Sequence, residues 1–189
     1  MENFNVYKSN INLSSLKTFF KEHGELELFK KKEYFLQQND KPLYLGYIES
    51  GMFRTIRIDS QGNEHIVGYA FQDEYAGSYT SCIQKIPSLV SIQAITDATV
   101  YILSFDAVSS FWETDIETQR TGRIIAEKMF AQMYIRSISL QCDTAEQRYI
   151  SLLQRCPNLP QYITLKEIAS YLGVTPETIS KIRRKLRHK

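Results

Sequence analysis

Residues 163–189 read ITLKEIASYLGVTPETISKIRRKLRHK, and the rest of the chain is most easily understood outward from them. Thr164, with Glu167 three residues on, makes a capping box that opens a helix. Gly173 is the residue best able to take the positive φ that ends one. Thr175 then caps a second helix with Pro176 in its first turn, where the missing N–H costs nothing. The pattern predicts two helices meeting through a turn of about three to four residues, a helix-turn-helix. Ile168, Leu172, Val174, Ile179 and Ile182 fall where crossing helices bury side chains, and Ala169 is small where their backbones approach.

The charge is as uneven as the hydrophobicity. After Val174 the chain carries Lys181, Arg183, Arg184, Lys185, Arg187 and Lys189 against a single acid, Glu177. A basic second helix with a polar first turn suits a major-groove reader, in which short side chains meet base edges and cations meet phosphate. A surface hairpin with a solvated basic tail is the plainer alternative. The caps, the glycine, the alanine and the charge together favour DNA.

The 189 residues allow one large domain or two small ones, and a hydrophobic fraction of 43% is ordinary for a chain with a packed core. Net charge is only +2, so the basic end is local and is offset elsewhere, as for a protein with one binding face. No apolar run approaches membrane-spanning length and residues 1–10 lack a signal-peptide pattern, so a soluble, cytoplasmic protein is expected. Cys82, Cys142 and Cys156 are scattered, fit neither a disulfide framework nor a metal site, and read as reduced thiols.

From the N-terminus, residues 13–23 form a short amphipathic pattern with Leu13, Leu16, Phe19 and Phe20 at helical spacing. Short β-branched and aromatic runs follow at 43–48, 52–58, 63–71, 90–96 and 99–104, with turns at Ser50-Gly51 and at residues 59–62. Strands at this spacing, with no helices between them, predict an antiparallel roll or barrel. Residues 106–113 read as a short helix. Thr114 with Glu117 predicts the start of a long one reaching about Gln141, roughly 39 Å at 1.5 Å per residue. Its stripe is Ile125, Met129, Met133 and Leu140, thickened by Ile124, Ile135 and Ile138 and interrupted by Arg136. A helix apolar over more than one face needs two partners, one of them expected to be a second subunit rather than its own β domain alone. Thr144 with Gln147 predicts a further helix over residues 145–154, after a break at Asp143-Thr144. Pro157 and Pro160 bracket a short connection with the makings of a small hairpin.

The order β-roll, long helix, break and helix-turn-helix resembles the Crp/Fnr family of bacterial transcription regulators over almost the whole chain. GYIESGMFRTIRIDSQGNEHIVGYAFQDEYAGS (residues 46–78) resembles the hairpin that leads into the family's effector cassette, and TPETISKIRRKL (175–186) resembles its recognition helix. The resemblance implies an α+β fold: an antiparallel jelly-roll like a cyclic-nucleotide-binding domain (residues 1–113), a long dimerisation helix (114–142) and a winged-type helix-turn-helix (143–189). It also implies a non-enzymatic homodimer on double-stranded DNA with RNA polymerase as partner, no cofactor, and a small effector of unknown identity. The family's base-reading positions fall on Glu177, Ser180 and Lys181. Glutamate accepts from a cytosine amine, lysine donates to guanine O6/N7, and serine serves either base. Thr175, Thr178, Arg183, Arg184 and Lys185 are better placed for phosphates. The E-x-x-S-K pattern is nearer the Fnr-like branch than the Crp-like one.

The departures bear on the effector. Cyclic-nucleotide members of the family hold the phosphate with Gly-Glu and Arg-Ser pairs, where this chain has Gly77-Ser78 and Ser88-Leu89. Between Arg57 and Arg120 the only lysine or arginine is Lys85, so cyclic AMP is disfavoured. Tyr69, Phe71 and Tyr79, with Gly77, Ser78 and Ser88, are the candidate pocket residues. The N-terminus lacks cysteines for an iron–sulfur cluster, and His23, His65 and His188 lack metal-ligand spacing. A constitutive DNA-binding dimer with a vestigial sensor is the alternative, and a cupin-type metalloenzyme is the remote one.

Overall fold

The structure is a computed structural model that describes residues 4–5 and 12–187; His188 and Lys189, the end of the basic tail, lie outside the described residues, as does most of 1–10. The chain divides into two compact units, one of residues 10–125 and one combining residues 1–9 with 126–189. Among the described residues no helix is long and apolar enough to cross a membrane.

The first unit begins with α1 (Ser14–His23), followed by β1 (Glu25–Phe29), β2 (Tyr34–Leu36), β3 (Tyr44–Ser50), β4 (Met52–Ile58), β5 (Glu64–Phe71) and β6 (Tyr75–Ala76). Then come α2 (Tyr79–Gln84), β7 (Ser91–Ala94), β8 (Ala98–Ser104) and α3 (Phe105–Trp112). The strands make two four-stranded antiparallel sheets, in the orders β1-β8-β3-β6 and β2-β7-β4-β5. Between them Phe29, Ile48, Phe53, Ile92, Ala94 and Val100 form the core. The rings of Phe29, Phe35 and Phe53 meet there at centroid distances of 5.8–6.3 Å, within the range favoured by aromatic pairs.

The period-2 alternation of strands explains a second apolar cluster. Tyr47 and Leu103 point away from the sheet interface and bury against Leu16 and Phe20 of α1 and Val108 of α3. Tyr47 gives its hydroxyl to Asp73 at 2.6 Å, and Lys17 of α1 bonds the same carboxylate at 2.7 Å. Burial and that carboxylate push the Tyr47 phenol up to about 12. The turn from β3 to β4 depends on Gly51, whose φ of +95° suits glycine; a Cβ there would stand 2.5 Å from the Ala98 Cβ.

The predicted strands are present with ends shifted by at most two residues, but β1, β2, β6 and α2 were not foreseen. β2 and β6 are only three and two residues long, too short to show a period, whereas the Glu-Leu-Glu-Leu-Phe alternation of β1 is a strand signal that went unread.

α4 (Ile116–Cys142) is the long helix. Its cap differs from the expected one. Asp115, not Thr114, accepts the Thr118 amide at 2.8 Å, while the Thr114 hydroxyl donates back to the Phe111 carbonyl. Accepting that amide holds the Asp115 carboxyl below its usual range. Gly122, a poor helix former, sits under the Trp112 indole, where a Cβ would be 3.1 Å from the ring. No α4 residue is buried. Ile125 is half-buried, whereas Met129, Phe130, Met133, Tyr134, Ile135, Ile138 and Leu140 are exposed. The apolar groups therefore run round the C-terminal half of α4, a broader surface than the predicted stripe.

After α4 come α5 (Ala145–Arg155), a 3-10 turn at Leu159–Gln161, α6 (Leu165–Leu172) and α7 (Pro176–Arg187). The expected hairpin at Pro157–Pro160 is instead that 3-10 turn. Among the described residues no strand follows β8, so the wing of the expected winged type is absent from them.

Gly51→Ala is expected to lower stability by more than ~1 kcal/mol, since it forces both a strained φ and a clash. A urea titration would show a lower midpoint at unchanged slope.

Candidate nucleic-acid interface

The local chemistry of residues 164–178 sets how α7 is presented. Thr164 and Glu167 form the predicted box: the Glu167 amide donates to the Thr164 Oγ1 at 3.2 Å, and the Thr164 amide donates to Glu167 Oε2 at 2.8 Å. Gly173 takes φ 67° and ψ 39°, and the chain reverses over it. The Gly173 amide reaches the Ser170 carbonyl at 3.1 Å and the Val174 amide reaches Ala169 at 3.0 Å, the two bonds of a Schellman motif. Three residues later the Thr178 amide donates to Thr175 Oγ1, with Pro176 opening α7.

Packing then decides which face of α7 is free. Ile179 and Ile182 are buried, as are Ile168, Ala169 and Leu172 of α6, the helix that α7 packs against. Val174, the remaining predicted core residue, is half-buried. Tyr149 and Leu152 of α5, with Cys156, Leu159 and Ile163, complete that core. On the opposite side Glu177, Ser180, Lys181, Arg184 and Lys185 are exposed, with Thr178 and Arg183 half-buried at its flanks and Thr175 exposed before the helix. Pro176, Glu177, Ser180, Lys181 and Arg184 line one shallow groove, and Ser180, Arg183, Arg184 and Arg187 line another. Spacings of three and four residues put these groups on one face.

The Glu177 carboxyl is held below the usual range by its own backbone amide at the helix start and by the Thr175 hydroxyl, with Lys181 adding a smaller pull. It is therefore ionised at neutral pH and acts only as an acceptor. Lys185 is engaged within the unit, bonding Glu146 of α5 at 2.5 Å. The predicted base-reading residues thus lie together, and one predicted phosphate contact has a competing acidic partner.

Two arginines escaped sequence reading. Arg136, taken as an interruption of the α4 stripe, donates to the Tyr171 carbonyl at 3.0 Å and lays its guanidinium 3.8 Å from the Tyr171 ring. Arg148 of α5 donates to the Leu172 carbonyl at 3.1 Å and to the Asp143 carbonyl at 2.6 Å. Both neutralise carbonyls that a helix C-terminus leaves without intrahelical partners, and both bring positive charge to its negative pole. A cation at helical spacing on an otherwise apolar face is the only sequence signal for Arg136.

In the first unit the candidate effector residues make contacts of their own. Tyr69 and Phe71 are buried in β5 with their rings stacked at 6.2 Å. Gly77 and Ser78 follow β6; the Ser78 hydroxyl donates to Ser81, and Tyr79 packs edge-on against Phe105. Ser88 lies before β7 and gives its hydroxyl to the Val90 carbonyl.

Residues 26–115 match the family model of the cyclic nucleotide-binding domain. No curated protein matches the sequence. Among solved structures the chain is similar to FixK2 from Bradyrhizobium japonicum, with TM-score 0.73 and 18% identity over 87% of this chain and 85% of that one. It is similar to CLP, a c-di-GMP-responsive global regulator of Xanthomonas campestris, with TM-score 0.71 and 16% identity over 94% and 92%. A CooA mutant from Carboxydothermus hydrogenoformans gives TM-score 0.74 and 16% identity over 96% and 86%. At such identities the likeness establishes the fold alone.

Arg148→Ala is expected to cost about 1–3 kcal/mol by leaving the Leu172 and Asp143 carbonyls without their donor. Thermal unfolding followed by circular dichroism measures it.

Proposed function

We propose that this chain is a homodimeric, sequence-specific DNA-binding transcription regulator of the Crp/Fnr type, controlled by a small effector other than cyclic AMP. The observation that carries the reading is the two-faced α7. Ile179 and Ile182 pin one side, leaving Glu177, Ser180, Lys181 and Arg184 on the other with Thr175 and Arg183 beside them. In this reading Glu177, Ser180 and Lys181 face base edges, while Thr175, Thr178, Arg183, Arg184 and Lys185 hold phosphates. Lys185 would exchange Glu146 for phosphate on binding. Lysine at 181 lacks the rigid fork of arginine, so guanine discrimination there is softer.

Residues 1–113 act as the sensor, 114–142 as the dimerisation helix and 143–189 as the reader. The exposed apolar groups on α4, including Phe130, Met133, Tyr134 and Ile138, support pairing with a second copy, since such a surface is otherwise unfavourable in water. Effector binding would shift the dimer between two arrangements that set the spacing of the reading helices, with RNA polymerase as a further partner.

The match to a cyclic nucleotide-binding domain supports a ligand-binding roll, but Lys85 is the only lysine or arginine between Arg57 and Arg120, and Arg57 itself donates to the Leu89 carbonyl at 2.6 Å. A second reading, a constitutive dimer with a vestigial sensor, draws on Ser78 and Ser88, whose hydroxyls donate to Ser81 and Val90 within the roll. Equal DNA affinity with and without added metabolites would favour it.

The protein is expected to protect a two-fold site with half-site centres about 34 Å apart, and its affinity to fall steeply with salt. Lys181→Ala should relax preference at one base pair, measured by binding to a library of single-position variants; uniform weakening over all sequences would remove Lys181 from base reading. Tyr134→Glu with Ile138→Glu should convert a dimer to a monomer in sedimentation and abolish footprinting.

A further inference from the structure

Phe4 precedes the whole β-roll in sequence, yet it belongs to the other unit. Its side chain is 1% exposed, and residues 1–9 cluster with 126–189 rather than with the roll that follows them. The seat is built from three helices. The Phe4 ring lies 5.5 Å from that of Tyr171, in the last turn of α6, inclined at 48°. The Arg155 guanidinium of α5 lies 5.6 Å from the Phe4 ring, and that of Arg136 of α4 lies 3.8 Å from the Tyr171 ring. Beside them Gln132 of α4 donates its side-chain amide to the Asn5 side-chain oxygen, Oδ1, at 3.4 Å.

An aromatic pair thus receives a cation from α4 and another from α5, each favourable when shielded from water. Arg136 is bonded at the same time to the Tyr171 carbonyl. Taking Phe4 away would open one side of the Tyr171 ring and admit water beside the contacts that hold α6 to α4. A large aromatic buried by so short a segment has no local reason to be there; the seat supplies one.

We propose that Phe4-Asn5 is a positioning strap for the reader, fixing the α6–α7 pair against α4 through Tyr171 and Arg136. The consequence for DNA rests on the function proposed above, whereas the strap itself does not.

Spin labels at Ala131→Cys on α4 and Lys166→Cys on α6 read the strap in the full chain without DNA. Cys142→Ser removes the exposed native thiol, and diluting labelled into unlabelled chains suppresses distances between copies. The native chain should give one narrow distance distribution. Phe4→Ala should broaden it about twofold, and Phe4→Leu, which keeps an apolar group but no ring, should fall between the two, with native helical content in both variants. Native width in both variants overturns the strap. If Phe4→Ala loses its helical signal, Phe4→Leu decides alone: broadening supports the strap and native width overturns it. Failure of the native chain to bind duplex DNA would count against the proposed function and leave this measurement unaffected.

Discussion

The reversal of the chain at Gly173 is the constraint on which the C-terminal unit depends. A left-handed residue there lets α6 end and α7 begin within three residues, close enough for Ile168 and Ala169 to share a core with Ile179 and Ile182. Once those two isoleucines are committed inward, the 3.6-residue period leaves no choice about where Glu177, Ser180, Lys181 and Arg184 point. The chemistry of the outward face is thus set by packing on the inward one.

The helix ends in this unit are finished by cations drawn from neighbouring elements. Arg136 and Arg148 take the Tyr171 and Leu172 carbonyls, and Arg148 also holds the Asp143 carbonyl at the break between α4 and α5. That break reads as a hinge in sequence because Asp143-Thr144 interrupts the helical pattern. In three dimensions one guanidinium ties the end of α4 to the end of α6. A motion at Asp143 must therefore carry the end of α6 with it or break a charge-assisted bond, the stronger kind of hydrogen bond.

The roll presents the opposite balance. Its core is apolar and aromatic, and polar side chains around β6 and before β7 are turned to internal partners: Ser78 to Ser81, Ser88 to Val90, Asp73 to Tyr47 and Lys17.

Local signals determined much of this protein from sequence alone. The capping pairs Thr164–Glu167 and Thr144–Gln147, Gly173, Pro176 and the turn at Gly51 act within a few residues, so they could be read before any fold was known, and the run of alternating strands gave the roll its class. Contacts between segments distant in sequence could not be read that way. β2 and β6 exist because neighbouring strands pair with them, not through any period of their own, and Asp115 displaced Thr114 as a cap through a competition of hydrogen bonds only geometry resolves. Arg136 looked like a flaw in an apolar stripe until Tyr171, 35 residues away, came to lie under it, and Phe4 carried no signal at all. Only the tertiary structure decided these, because a side chain's partner across the fold is chosen by shape and desolvation, neither of which leaves a periodic trace in the chain.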